Sequence, residues 1–156
     1  MQRIKTKDYL LVTIQFVLLI AYCIVFYKTA NNTNIILRIA GIIISSSGFI
    51  VAIVAMITLK RNLRAVPTPV ENGTLITHGI FSIVRHPIYT GVLLVAFGGL
   101  GIHFSFVLIS IAIALFILFS IKSSYEETML MEKYIDYKEY RLKTGKLFPF
   151  INKANL

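Results

Sequence analysis

The sequence has little charge, few histidines and almost no cysteine. Charged residues make up 15% of its 156 residues, whereas soluble domains carry about 25%. This deficit excludes an ordinary soluble domain and indicates a single integral membrane domain. The one cysteine, Cys23, excludes an intramolecular disulfide and a cysteine-pair metal site. No Gly-x-Gly-x-x-Gly stretch occurs, so the sequence offers no dinucleotide-binding turn of the Rossmann kind.

Long hydrophobic runs are what the sequence has in abundance. A membrane-spanning helix needs about 20 mainly apolar residues. Four runs approach or reach that length, at residues 9–27, 35–59, 88–101 and 104–121. The first is too long for the apolar core of a signal peptide, so we expect a retained anchor. Gly98, Gly99 and Gly101 are expected to break the third run, and residues 99–104 to form the tight turn of a helical hairpin.

The chain is therefore expected to be an all-α membrane protein with about four transmembrane helices. Residues 1–59 form a two-helix anchor, and residues 60–156 form a linker, the hairpin and a cytosolic C-terminal amphipathic helix. The linker, residues 60–85, holds two prolines, two glycines and several charges, so it is not a span. Loops of that length are usually functional. Gly145 marks the expected end of the tail helix.

The basic residues predict the orientation of the chain in the membrane. The net charge is +9, and 14 of the 16 Lys and Arg residues fall in three regions that four spans place on one side. That side is the cytoplasmic one, so both termini are expected there. The charge is explained by topology and contact with membrane lipids, so no nucleic acid partner is expected. The richness in Ile, Lys and Asn suggests a bacterial source, and we expect the protein to lie in the inner membrane.

A polar cluster, GIFSIVRHPIYTG at residues 79–91, stands before the third run. Pro87 suits the first position of a helix, and Arg85 beside that helix start makes an anion site. The alternative is an arginine that reaches to lipid headgroups. Phe81 and Tyr89 offer aromatic faces that attract onium cations. No metal site is expected, because His103 lies in the opposite turn, away from the other two histidines.

Two adjacent carboxylates, Glu126 and Glu127, follow the last run. Neighbouring side chains on a helix point in different directions, so one carboxylate can reach the mouth of the bundle while the other does not. A carboxylate near the membrane needs a partner, and Arg85 or Arg141 is the expected one.

Taken together, these residues follow two patterns. The first pattern stands at Leu75, Gly79, Phe81, Arg85, His86, Pro87, Tyr89 and Gly91. The second stands at Glu126, Glu127, Leu130, Tyr137, Tyr140 and the FPFI of residues 148–151. In this order the sequence resembles the isoprenylcysteine carboxyl methyltransferase family, which forms a wider group with the phospholipid N-methyltransferases. The resemblance covers residues 67–151, and the first two spans match only in being apolar.

The resemblance implies an S-adenosylmethionine-dependent methyltransferase with a lipophilic substrate. It also implies that the linker, the RHP turn and the C-terminal tail form a cytosol-facing pocket for the cofactor. The cofactor-binding residues it implies are Thr77, His78, Gly79, Ile80, Phe81, Val84, Arg85, His86, Tyr89, Gly91 and Glu126. Among the expected catalytic residues, Arg141 holds a carboxylate acceptor, and Glu127 or a histidine serves as the base for a phenol or amine.

Three functions remain open from the sequence. The first is methyl transfer to a carboxylate or hydroxyl of an isoprenyl- or acyl-like substrate. The second is phospholipid N-methylation, and the third is a non-catalytic small membrane protein. The sequence leaves open the methyl acceptor and the oligomeric state.

Overall fold

The structure, a computed structural model, describes residues 5–30 and 33–149. Regular structure within these ranges is helical, apart from an isolated parallel β-bridge between Val84 and Gly145. The five α-helices are α1 (Thr6–Lys28), α2 (Ile35–Leu59), α3 (Pro87–Ile102), α4 (Phe106–Lys133) and α5 (Tyr137–Lys143). Two short 3₁₀ helices, Lys60–Asn62 and Gly79–Ser82, lie in the linker. The all-α membrane fold expected from the sequence is confirmed.

Three of the helices are long and apolar enough to cross a membrane, namely α1, α2 and α4. Helix α3 has 16 residues and is about 24 Å long, which is shorter than a bilayer core of about 30 Å. The expectation of about four transmembrane helices therefore resolves into three long helices and one short one. Large apolar side chains cover the outer faces of α1 and α2, where lipid would solvate them.

Glycines let α2 and α3 approach each other closely. A Cβ on Gly98 would lie 2.8 Å from the carbonyl oxygen of Gly41, and one on Gly48 would lie 2.6 Å from that of Gly91. The prediction that the glycines at 98, 99 and 101 break the third run is wrong, since α3 continues to Ile102. Inside a membrane, helical hydrogen bonds have no water to replace them, and small residues favour helix association.

The helices contact one another in the order α1, α4, α3, α2. Three residues, 103–105, connect α3 to α4, so these two helices form the expected hairpin, although α3 makes its most extensive contact with α2. Tyr22 of α1 donates a hydrogen bond to the carbonyl oxygen of Ala96, at 2.6 Å. The bundle is therefore joined by polar contacts as well as by apolar ones.

Helix α4 continues well past its apolar part. The separate amphipathic helix expected from residue 122 onward is instead the end of α4, which has 28 residues and runs to Lys133. A short helix, α5, then forms the tail and ends before Thr144. A 28-residue helix is about 42 Å long, so the last turns of α4 carry Glu126 and Glu127 beyond the apolar segment.

Candidate active site

The C-terminal segment lies against the start of α3. The amide of Arg85 donates to the carbonyl oxygen of Gly145 at 2.8 Å, and the amide of His86 donates to that of Lys146 at 3.2 Å. The Thr90 hydroxyl also donates to the carbonyl oxygen of Leu147, at 2.7 Å. This pairing brings together residues more than fifty positions apart in the sequence.

Glu127 is the centre of a buried charged cluster. One of its oxygens accepts a hydrogen bond from Arg85 Nε at 2.8 Å and lies 3.2 Å from His86 Nε2. The other lies 3.6 Å from Arg141 Nε. The side chains of Glu127 and Arg85 are only 4% and 7% exposed. Because both charges are shielded from water, each depends on the other for its stabilisation.

Arg85 also connects the cluster to the tail. Its guanidinium donates to the carbonyl oxygen of Arg141 at 2.9 Å and to that of Thr144. One side chain therefore joins the start of α3, the end of α4 and the segment after α5.

Glu126 points away from Glu127, as expected for adjacent residues on a helix. Its carboxylate accepts a hydrogen bond from the Tyr89 hydroxyl at 3.1 Å and lies 3.7 Å from His86 Nδ1. His86 thus has a carboxylate near each ring nitrogen. It links Glu127, which belongs to the buried cluster, with Glu126, which lines a cavity.

Three rings form a nearly parallel stack beside these carboxylates. The centroids of His86 and Tyr89 are 5.4 Å apart with an interplanar angle of 4°. Those of Tyr89 and Phe119 are 4.8 Å apart with an angle of 5°. Lys122 Nζ lies 5.3 Å from the centroid of Tyr89. The stack gives this side of the site a rigid aromatic surface.

A cavity of about 400 Å³ lies between the linker, the ends of the helices and the tail. Linker residues between 62 and 76 form much of its wall, and Gln15 of α1 and Met56 of α2 also border it. The volume falls within the range of about 300–1,000 Å³ typical of small-molecule sites. The cavity is therefore large enough for a nucleoside-sized ligand.

The linker is held over the cavity by side chains of α1, α4 and the tail. Lys133 donates to the carbonyl oxygens of Val70 and Glu71, and the Tyr134 hydroxyl donates to that of Gly73 at 2.7 Å. The Thr68 hydroxyl donates to the buried carboxylate of Asp8 at 2.5 Å. These contacts fix a segment that has no regular structure over most of its length.

Two tyrosines of the tail border the same cavity. Burial raises the pKa of Tyr137, and it raises the pKa of Tyr140 to about 12. Both phenols are therefore neutral hydrogen-bond donors near pH 7. Tyr140 donates to the carbonyl oxygen of Phe81 at 2.5 Å. Tyr137 is 1% exposed, and its hydroxyl has no hydrogen-bond partner among the described residues.

The structure brings some of the predicted site residues to the cavity and places the others elsewhere. Those that line the cavity are Phe81, Arg85, His86, Tyr89 and Glu126. Thr77, His78 and Gly79 are exposed, Ile80 is half-buried, and Val84 forms the bridge with Gly145. Gly91 lies in the contact between α3 and α2. Glu127 belongs to the buried cluster, and the side chain of Arg141 is 51% exposed.

Sequence reasoning missed several residues of the cavity wall. Lys122 precedes Glu126 by four residues, so helical spacing could have placed it on the same face. Tyr134 and the linker residues carried no such signal. Phe150 and Ile151 of the tail pattern lie outside the described residues. Within the described ranges, no three His, Cys, Asp or Glu side chains are grouped to hold a metal ion.

Fold and site together define an integral membrane protein with a cavity at one end of its helices, lined by apolar, charged and phenolic side chains. The model of the isoprenylcysteine carboxyl methyltransferase (ICMT) family matches residues 39–132, which are 94 of the 156 residues. The chain belongs to that family, and membership implies methyltransferase activity. The match contains both Arg85 and Glu127, whereas α1 and α5 lie outside it. A search of curated proteins finds no match.

Proposed function

We propose that the protein is an S-adenosylmethionine-dependent methyltransferase that methylates a carboxylate or hydroxyl of a lipophilic, isoprenyl- or acyl-like substrate. The observation that carries this proposal is the cavity itself, which is bordered by membrane helices on one side and by charged and phenolic groups on the other. Such a cavity can hold a water-soluble donor and a lipid-soluble acceptor next to each other.

The residues of the cavity wall fit this cofactor. Glu126 suits its ammonium or ribose hydroxyls, and exposed Arg64 at the linker suits its carboxylate. The hydroxyl of Tyr137 is buried without a partner and can donate to any of its polar groups. Aromatic faces such as those of Tyr89 and Tyr134 attract a sulfonium cation. When bound, S-adenosylmethionine supplies an electrophilic methyl group.

The protein's own residues act mainly by orienting the reactants and excluding water. Alignment of the reacting atoms supplies a large part of the rate enhancement of such a displacement. Glu127 is already engaged by Arg85, His86 and Arg141, so we assign it to holding the wall in place. A carboxylate acceptor is itself a nucleophile, so its methylation needs no general base.

We further propose that the cavity faces the cytoplasm, in a bacterial inner membrane. Arg64, Lys133 and Lys146 lie near the cavity end of the helices, whereas Lys28 and Arg38 lie at the opposite end. This asymmetry follows the positive-inside rule. The donor would then reach the site from the cytosol and the acceptor from the inner leaflet.

Methyl-labelled S-adenosylmethionine tests the proposal. Purified protein in lipid nanodiscs is incubated with the labelled donor and a membrane lipid extract supplemented with isoprenyl and acyl carboxylic acids. We expect label in a lipid product that alkali releases as methanol, which identifies a methyl ester. Label that resists alkali in a phospholipid headgroup would instead identify an N-methyltransferase. Absence of label in every lipid would contradict the proposal and favour a non-catalytic protein.

A further inference from the structure

Lys122 is a buried ammonium group on the wall of the cavity. The residue is 1% exposed and lies one helical turn before Glu126 on α4. It immediately follows Ile121, where the apolar part of that helix ends. The charge therefore lies where the apolar part of α4 ends and the cavity begins.

The partners of this ammonium group are all neutral. Lys122 Nζ donates to Gln15 Oε1 at 2.5 Å and to the carbonyl oxygen of Ala65 at 2.9 Å. No Asp or Glu oxygen of the described residues lies within 4.0 Å of it. An ammonium has three N–H donors, so one donor remains for a ligand. A buried charge without a counter-ion is costly, and an anionic ligand would remove that cost.

The nearest carboxylates have other partners. Glu126 accepts from Tyr89 at 3.1 Å. Asp8 accepts from Thr68 and from the amide of Lys5. Both carboxylates interact with Lys122 electrostatically, but from beyond salt-bridge range. Neither neutralises the ammonium directly.

The other cations near the site are bonded to Glu127, lie outside the cavity wall or are exposed. Arg85 and His86 are bonded to Glu127. Arg141 lies outside the cavity wall, where it contacts Glu127 and the sulfur of Met131. Arg64 is exposed on the linker. Lys122 is thus the buried cation of the wall with a donor to spare.

We propose that Lys122 binds the carboxylate of the acceptor, so that the enzyme selects lipophilic acids over neutral or amine lipids. This proposal rests on the proposed function. The acid's hydrocarbon chain lies toward Met56 and Leu59 of α2, which border the cavity on its membrane side.

Methylation removes the negative charge of the acceptor, which favours release of the product from Lys122. One carboxylate oxygen forms a bond to the methyl carbon as the carbon–sulfur bond breaks, which yields a methyl ester and a neutral thioether. No proton is released or taken up. The ester carries no charge to pair with Lys122, so it binds more weakly than the acid and leaves the site.

Binding of a matched acid and amide tests the role of Lys122. The probes are N-acetyl-S-farnesylcysteine and its carboxamide, which differ only in charge and one heavy atom. Calorimetry is carried out on the detergent-purified full chain saturated with S-adenosylhomocysteine. We expect the wild-type protein to bind the acid at least tenfold more tightly than the amide. Lys122→Met should reduce this preference to below threefold, and Lys122→Arg should restore much of it.

The matched control is Lys7→Met. Lys7 lies over the ring of Tyr125, in a groove that the opposite face of α4 forms, so its loss should leave the preference intact. If the role of Lys122 is purely structural, Lys122→Met should lower the affinities for the acid and the amide equally. The ratio of the two affinities would then be unchanged, which would contradict the proposal.

Other outcomes separate this proposal from the proposed function. If the wild-type protein binds S-adenosylhomocysteine but does not prefer the acid, the assignment of Lys122 is wrong and the methyltransferase proposal stands. This comparison needs no variant, so it holds even if Lys122→Met fails to fold. If Lys122→Met loses tenfold in S-adenosylhomocysteine affinity with the preference intact, the lysine serves the donor's carboxylate and our proposal is overturned. If the wild-type protein does not bind S-adenosylhomocysteine, the proposed function itself fails.

Discussion

Replacing Glu127 by glutamine should destabilise the protein more than the loss of an exposed carboxylate of α5. The substitution keeps the shape of the side chain but removes the charge that Arg85 and His86 face at 2.8 and 3.2 Å. Loss of one partner from a buried ion pair costs about 3–5 kcal/mol. Arg85 keeps two carbonyl acceptors in the tail, so we expect the lower end, about 3 kcal/mol.

Thermal unfolding in detergent measures this cost. For a chain of this size each kcal/mol shifts the midpoint by roughly 2–4 °C, so we expect a fall of about 6–12 °C. Circular dichroism is the suitable signal, because the protein is helical and has no tryptophan. Since Glu127 holds Arg85 and the tail against α3, affinity for S-adenosylhomocysteine should fall as well.

Glu139→Gln is the matched control for this substitution. Glu139 pairs with Lys143 on the surface of α5, where both side chains are largely exposed. Exposed pairs of this kind contribute little to stability, so its midpoint should equal that of the wild type. If Glu127→Gln also unfolds within about 2 °C of the wild type, the buried cluster does not hold the tail in place.

Three further substitutions test other parts of the structure. Tyr137→Phe removes a buried hydroxyl that has no described partner, so the unfolding midpoint should not fall. Affinity for S-adenosylhomocysteine, measured by calorimetry, should drop about tenfold. Unchanged affinity would contradict a ligand-binding role for this hydroxyl. Gly98→Val places a Cβ about 2.5 Å from Ser45 Oγ and should lower the free energy of unfolding by about 1–3 kcal/mol. Thermal unfolding measures this loss, and a wild-type midpoint would show that α2 and α3 can move apart without cost. Burial raises the pKa of Tyr140 from 10 to about 12, so the neutral phenol favours the folded state. That stabilisation is complete below pH 10 and is lost as the pH rises toward 12, so the unfolding midpoint should fall over this range. Tyr140→Phe should make that fall less steep. An equally steep fall in the variant would contradict a contribution from Tyr140.

The membrane helices are the part of the fold that sequence patterns predict well. The second apolar run, residues 35–59, coincides with α2, and Pro87 begins α3 as its fixed φ angle favours. The end of α3 was wrong because glycine's low helix propensity was taken as decisive. Close packing against α2 outweighs that propensity, as the contacts of Gly98 and Gly101 with α2 show.

The extension of α4 was missed for a different reason. Apolar composition marks where a helix leaves the hydrocarbon, and it does not mark where the helix ends. The segment after Ile121 is polar, yet α4 continues for twelve more residues to Lys133. This continuation places Lys122 and Glu126 on one face, toward the cavity.

The site was only partly predictable, because its contacts join distant parts of the chain. Opposite charges suggested that Arg85 pairs with a carboxylate, and the structure joins it to Glu127, 42 positions away. The resemblance predicts that the linker helps to form the cofactor pocket, but it does not indicate which of residues 62–76 line the cavity or how they are held there. Their position depends on single hydrogen bonds, such as that from Thr68 to Asp8.

Calorimetric titration of S-adenosylhomocysteine into the purified protein tests the central claim most directly. We predict saturable binding at one site per chain, at least tenfold weaker in Glu126→Gln, whose wild-type carboxylate lines the cavity, and unchanged in Glu139→Gln. Absence of saturable heat with the wild-type protein, or equal affinity in the two variants, would contradict the claim that this cavity holds the methyl donor.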